Sequence, residues 1–295
     1  MPATIIDGKK IAEDIKREVK QETDRLKADR GITPGLAFIL VGENPASQAY
    51  VTMKGKGCEE MGFYSLTEKL PLDVSESKLL EHIEKFNRDP RIHGILTQLP
   101  LPQHIDEERI LNAIDYRKDV DGFHPINVGR LVTGQNCFKP CTPLGVQELL
   151  IRSGHDPAGK HVVIVGRSNI VGKPLLNILL QKQKGANAVV TIVHTGTKDI
   201  SLWIRQADIL IVAIGRAESI AGDMIKPGAV VIDVGINRIE DSTAKNGYRI
   251  VGDVHFASAS QVASAISPVP GGVGPMTIAM LLKNTLLSAQ GKIFG

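Results

Sequence analysis

Tyr50 and Lys54 stand four residues apart, with Lys56 close behind, inside a stretch of helical pattern. Side chains at that spacing share one helix face. A lysine beside an aromatic ring could act as a base, although its ordinary pKa of ~10.4 makes it a poor one at neutral pH. Burial and a nearby cation both favour the neutral amine, which is how such a lysine is activated. The same Tyr-x-x-x-Lys pattern also describes a solvated surface pair, so both readings stand. Gln98 closes an apolar run, and Asp121 lies in a polar, glycine-punctuated loop at 119–125. The carboxyl ends of strands are where open α/β sheets bind ligands, which draws attention to both. His124, followed by proline in that loop, reads as structural, and the other histidines lack ligand spacing. Cys58, Cys137 and Cys141 are too few and too irregular for a disulfide framework. No second pair accompanies Cys137 and Cys141, so no metal is expected.

A second constellation begins at His161. The β-branched run at 162–165 stops at Gly166, and a helical pattern opens near Val171. Strand, tight turn and helix N-terminus together make a dinucleotide-binding unit, in which backbone N–H groups face a pyrophosphate. The fingerprint G-x-G-x-x-G is imperfect: Ser168 occupies the second glycine's place and Gly172 comes one residue late. An ordinary buried strand entering a helix is the alternative. The strand–helix alternation that follows favours the nucleotide reading. NAD-specific units end their second strand on a carboxylate, whereas here the segment is His194-Thr-Gly-Thr-Lys198. Arg167 in the glycine turn, a threonine hydroxyl and Lys198 suit a 2′-phosphate. The expected cofactor is therefore NADP, against the alternative that Arg167 and Lys198 are solvated surface.

The elements that must position these groups follow from periodicity. Asp7 caps a predicted helix over Gly8–Arg30, with Ile11, Ile15 and Val19 on one stripe. A buried strand at 36–41 precedes the helix at 46–61, which carries Tyr50, Lys54 and Cys58. Gly55 and Gly57 weaken that helix by about 1 kcal/mol each relative to alanine. A strand at 64–70, a helix opened by an Asp73/Glu76 capping box, a strand at 92–97 and a short helix at 107–114 lead into the loop. Thr142-Pro143 reads as N-cap and first turn of a helix to Arg152. Beyond the glycine turn, the helix should run to Lys184, with strands at 188–193, 209–214 and 229–234 and a strand pair near 248–252. A Pro/Gly-dense loop at 266–275 opens onto a final helix at 276–289. The expected fold is α/β: an N-terminal α/β substrate domain (1–145), a Rossmann-like doubly wound parallel-sheet domain (146–265), and a loop and helix (266–295) returning to the first. A cleft is expected between the two domains.

Bulk composition removes other function classes. The 295 residues carry 35 lysines and arginines against 32 aspartates and glutamates, dispersed rather than clustered, so no nucleic-acid partner is expected. No apolar run reaches the ~18 residues of a membrane span and no signal segment opens the chain, so a reducing cytoplasm is expected.

Six ordered segments together are similar to a known family. They are Tyr50-Val-Thr-Met-Lys54-Gly-Lys56, Gln98-Leu-Pro-Leu-Pro102, Asp119-Val-Asp121-Gly-Phe-His-Pro125, Pro140-Cys-Thr-Pro143, Gly166-Arg-Ser-Asn-Ile-Val-Gly-Lys-Pro174 and Pro268-Val-Pro-Gly-Gly-Val-Gly-Pro-Met-Thr277. Along essentially its whole length the chain resembles the bifunctional methylenetetrahydrofolate dehydrogenase/methenyltetrahydrofolate cyclohydrolase (FolD-type) family. That resemblance implies Lys54 as catalytic lysine, Tyr50 as the ring stacked on the folate and Gln98 as the amide orienting the lysine. It implies Asp121 as the carboxylate pairing with the pterin. Leu99, Pro100 and the 268–276 loop, with Pro270, Gly271 and Gly272, would line the folate. Gly166, Arg167, Ser168, Thr195 and Ile236 fall where the family contacts NADP. The implied chemistry oxidises 5,10-methylenetetrahydrofolate with NADP and hydrolyses the methenyl product to 10-formyltetrahydrofolate, with no metal, in a homodimer built through the NADP domains. Gly55 and Gly57 stand where family helices usually carry bulkier residues, Thr97 replaces a common valine, Thr195 a usual serine, and residues 183–187 look inserted. Two rivals are an amino-acid or shikimate-type dehydrogenase on the same fold, and a non-catalytic NADP- or folate-binding regulator. Neither accounts for Tyr50, Lys54, Gln98 and Asp121 together.

Overall fold

In the computed structural model, which describes residues 2–244 and 247–294, the chain divides into two compact units. Its elements run β1 (Thr4–Ile5), α1 (Gly8–Arg30), β2 (Gly35–Val41), α2 (Pro45–Met61), β3 (Tyr64–Leu70), α3 (Glu76–Arg88), β4 (Gly94–Thr97) and α4 (Glu107–Ala113). Then come α5 (Pro125–Val132), α6 (Cys141–Arg152), β5 (His161–Val165), α7 (Gly172–Leu180), β6 (Val189–Val193), α8 (Ile200–Ile204) and β7 (Ile209–Val212). The chain continues through β8 (Val230–Asp233), β9 (Asn237–Glu240), β10 (Tyr248–Val251), α9 (Phe256–Ala259), β11 (Ala265–Ile266) and α10 (Val273–Ala289). No helix among the described residues is long and apolar enough to cross a membrane.

One unit comprises Glu13–Cys141 and Ile278–Gly295. Its parallel sheet has the order β3-β2-β4. All seven residues of β2 are buried, as expected of a parallel strand covered on both faces. On one face Ile39 and Ile95 pack with Leu79, Ile83 and Phe86 of α3 and Ile110 of α4. The cap of α3 differs from expectation. Ser75, not Asp73, accepts from the Lys78 N–H at 3.3 Å, and Glu76 reaches across to the Asp106 N–H and Arg109. Residues 119–125 do not stay a loop to the end, because Pro125 is the first residue of α5 and His124 Nδ1 caps it by accepting from Ile126 N–H.

The other unit comprises Met1–Ala12 and Thr142–Thr277. Its sheet order is β1-β11-β8-β7-β5-β6, parallel at every pairing. From β5 the chain goes outward to β6, then back across β5 to β7. That reversal creates a crevice at the carboxyl ends of β5, β6 and β7. The two-residue strands β1 and β11 are too short to leave a periodic signal. Thr142 is inside α6 rather than its cap, and its hydroxyl pairs with that of Thr277 at 2.9 Å. Helix α7 ends at Leu180, four residues before the expected stop. The following turn is held by Gln147, whose side-chain amide donates to Gly185 O at 2.7 Å. The final helix begins at Val273 instead of 276.

Candidate active site

Along one face of α2 exposure falls steadily, from 39% at Tyr50 through 9% at Lys54 to 0% at Cys58. The face dips into the core, and Lys54 sits where solvent gives way to protein. Burial pushes the Cys58 thiol up to about 12, so it is packing and not a nucleophile. The Lys54 amine instead donates to Gln98 Oε1 at 3.2 Å. Gln98 follows directly after β4, and its own Nε2 donates to Leu99 O at 2.8 Å. That second bond dictates which end of the amide faces the lysine. Gly57 belongs on this helix because a Cβ there would lie 3.3 Å from Leu282 of α10. Gly55 has open space around it, and nothing in the structure explains it. The Thr97 hydroxyl has no partner. Two residues along the strand from Ile95, it faces the α3/α4 core rather than Lys54.

Asp121 is held by the loop on which it rides. Asp119 is buried and accepts from Phe123 N–H (3.3 Å), His124 N–H (2.8 Å) and Asn127 Nδ2 (2.8 Å). Burial pushes its carboxyl up to about 7 despite those donors. Gly122 between them has φ +73°, and a Cβ there would stand 2.7 Å from the Pro140 nitrogen. Asn284 Nδ2 of α10 donates to Val120 O at 2.8 Å and Lys139 O at 3.1 Å, clasping both sides of the loop. The fully buried Cys141 thiol donates to Val120 O at 3.4 Å, with Asp121 and Lys54 near enough to bias its charge. Burial, with Asp121 alongside, holds that thiol protonated. Thus Lys54, Gln98 and Leu99 are joined directly, with Tyr50 one turn before Lys54, while Asp121 lies beside Cys141. Pro100 is exposed and follows a cis peptide bond. Sequence spacing had not revealed the parts played by Cys141 and Asn284.

In the other unit, Gly166, Arg167, Ser168 and Thr195 line one cavity of about 370 Å³. A Cβ on Gly166 (φ +125°) would sit 2.2 Å from Ala213 O, and one on Gly172 2.1 Å from Gly166 O. Gly172 therefore serves the close strand–helix approach although it comes a residue late. The Ser168 hydroxyl accepts from the Val171 and Gly172 N–H groups at 3.1 and 3.4 Å, shaping the start of α7. His194, Thr197, Ile200, Ala213, Ile214 and Arg216 complete the wall. Of the sequence candidates, Lys198 and Ile236 are not part of it; Ile236 is half exposed after β8. Arg216 was missed, its only signal being its place just beyond a strand's carboxyl end. Pro270 is exposed, whereas Gly271 (φ +107°) and Gly272 have backbone reasons to be glycine, since a Cβ on Gly272 would meet Pro268 O at 2.6 Å. A larger hollow of about 610 Å³ lies at the amino ends of the strands, where Lys226 and Asp208 already pair at 2.7 Å. Ligands of such sheets bind at the other end, so the smaller cavity is the better site.

Comparison with known proteins identifies the family. Residues 6–121 match the model of the tetrahydrofolate dehydrogenase/cyclohydrolase catalytic domain, and residues 140–293 that of the same family's NAD(P)-binding domain. The chain is 59% identical over 290 residues to the bifunctional protein FolD of Moorella thermoacetica, covering 98% of this chain and 100% of the relative. Among solved structures, the bifunctional FolD methylenetetrahydrofolate dehydrogenase/cyclohydrolase of Campylobacter jejuni is 51% identical with a TM-score of 0.92, over 98% of this chain and 99% of that one. The Trypanosoma brucei enzyme, solved with NADP and an inhibitor, is 40% identical with a TM-score of 0.93 over 100% of both chains.

Proposed function

The chain belongs to the tetrahydrofolate dehydrogenase/cyclohydrolase family, and on that footing we propose how its own residues carry the two reactions. It is a bifunctional enzyme that oxidises 5,10-methylenetetrahydrofolate with NADP and hydrolyses the 5,10-methenyl product to 10-formyltetrahydrofolate. The observation that carries the residue assignment is the buried Lys54 amine held by Gln98 at 3.2 Å. An ammonium and a neutral amine can both donate in that bond, so the amine keeps its place through a change of protonation. Lys54 assists charge development at the imidazolidine ring in the first step. In the second it takes a proton from the water that adds to the methenyl carbon, and the ring opens as the carbon–N5 bond breaks. Gln98 orients the amine, Asp121 pairs with the pterin, and the Tyr50 ring stacks on it. Leu99, Pro100 and the Pro270-Gly271-Gly272 turn contribute apolar wall.

NADP, when bound, accepts the hydride given up by the methylene carbon. The glycine turn fits it: Gly166 and Gly172 permit the tight backbone approach that such a turn needs at the start of α7, and Arg167 with Thr195 offers the cation and hydroxyl a 2′-phosphate needs. Ile236 is assigned to the cofactor only through the family resemblance. Lys54→Met is the decisive experiment. Both activities should fall by at least about 100-fold while NADP binding and folding are retained, as for loss of a general acid–base group. Retention of either activity would remove Lys54 from that reaction.

We also infer a cytoplasmic homodimer assembled through the NADP domains. Strand β6 ends the sheet order, with Val189 63% exposed at its start, and Leu202 (56%) and Trp203 (42%) lie exposed on the adjacent α8. An apolar edge strand left uncovered invites pairing. Sedimentation should give a dimer that Val189→Lys dissociates; a monomeric wild type would refute it. The three cysteines are free thiols, in keeping with a reducing compartment. Recovery of the activity in a membrane or secreted fraction would contradict that placement.

A further inference from the structure

Resting on the assignment of the cavity to NADP, we propose that Asp253 is a positioning residue for the cofactor. It fixes the loop after β7 that forms one wall of the nucleotide cavity. Asp253 is fully buried, and its carboxylate collects three consecutive backbone donors: Ile214 N–H (2.7 Å) and Gly215 N–H (2.9 Å) on Oδ2, and Arg216 N–H (2.9 Å) on Oδ1. Successive N–H groups converging on one point form an anion-binding nest, and here the chain fills it with its own carboxylate. The Asn237 side-chain amide adds a fourth donor at 2.9 Å.

The support continues one layer deeper. Asp233 Oδ1 accepts from the Asp253 N–H at 3.0 Å and the Gly235 N–H at 2.9 Å, while its Oδ2 accepts from Val254 N–H at 2.9 Å. Two glycines make this possible. A Cβ on Gly235 would lie 2.3 Å from the Asp253 carboxyl carbon, and one on Gly252 1.8 Å from Asp233 Oδ2. Thus Asp233 seats Asp253, and Asp253 seats Ile214, Gly215 and Arg216. Ile214 and Arg216 line the cavity, and Ala213 just before them is the residue against which Gly166 is pressed. The two walls, glycine turn and β7 loop, are held at a set separation. Arg216, an exposed cation on that loop, lines the same cavity as Arg167.

The test is the NADP dissociation constant of Asp253→Asn, with Arg167→Gln as the check on the cavity itself. Asn places an NH2 against backbone N–H donors that a carboxylate satisfied. The Kd for NADP should rise about tenfold, the equivalent of one lost charge-assisted hydrogen bond, while the KM for the folate substrate stays within about twofold. An unchanged Kd in folded Asp253→Asn, with Arg167→Gln weakened, overturns the positioning role alone. If Arg167→Gln is silent too, the cavity assignment falls and takes this role with it. A parallel rise in both constants with a lowered thermal midpoint assigns Asp253 to general stability and overturns the proposal. Should Asp253→Asn fail to fold, Asn237→Ala, which removes one donor of the four, decides: a raised NADP Kd supports the role and an unchanged one overturns it.

Discussion

Asp119 sits in a place that resists charge, and the rest of the 119–125 loop is arranged around it. Burial pushes its carboxyl up to about 7 in the folded protein against an ordinary value of 3.8. The folded state therefore keeps a proton that the unfolded chain gives up, and stability falls as pH rises through that window. Asp119→Asn should flatten the slope: the loss of unfolding free energy between pH 4 and pH 7.5 should shrink by on the order of 2–4 kcal/mol in urea titrations. An identical slope in the variant would mean that Asp119 is not the group responsible. Asp233, raised to about 6 by burial, contributes the same sign over a narrower range and remains as background. Lys54, Gln98 and Asp121 could be picked out from type and place in the sequence, but nothing there joins Lys54 to an amide 44 residues away. Arg216 and Asn284 stayed hidden for a related reason. An arginine in an unmarked loop, or an asparagine in an apolar helix, acquires meaning only from what the fold sets against it.

Helix α1 was legible from end to end because cap, stripe and stop agree: Asp7 accepts from the Lys10 N–H, Ile15 and Val19 are buried, and Gly31 at φ +67° ends it. Helix α5 was not, because His-Pro reads as a break when here it is a start, with proline at the first position where its missing N–H costs nothing. Ser75 competed with Asp73 as the cap of α3 and won, a local contest that composition does not decide. Helix α2 keeps a weakness with no visible cause. Nothing lies within 4 Å of where a Gly55 side chain would begin, so Gly55→Ala should stabilise the protein by about 0.5–1 kcal/mol without altering the fold. Chemical denaturation measures this; a destabilised variant would contradict the open space around Gly55.

The two units are interleaved in the sequence, and the divisions between them fall within α1, after the first residue of α6 and within α10. Residues 1–12 complete the nucleotide-binding sheet through β1, while 278–294 complete the folate-side unit. Strands of two residues leave no period to detect, which is why β1 and β11 were invisible beforehand. A fragment of residues 1–141 should accordingly be poorly folded. It lacks the Asn284 clasp, the 2.6 Å bond from Ser288 Oγ to His93 O, and the Phe294 ring against Tyr116 (5.1 Å) and Phe138 (5.5 Å). Its urea midpoint should lie well below that of the intact chain, and a cooperative transition matching the intact chain would contradict the interleaving. The Asn284 clasp also imposes an order on biosynthesis. The carbonyl it secures at Val120 emerges from the ribosome 164 residues ahead of the amide that secures it. The loop that carries Asp121 is thus among the earlier parts of the enzyme to be made and among the last to be finished, and a nascent chain arrested before α10 would carry a loop still waiting for its latch.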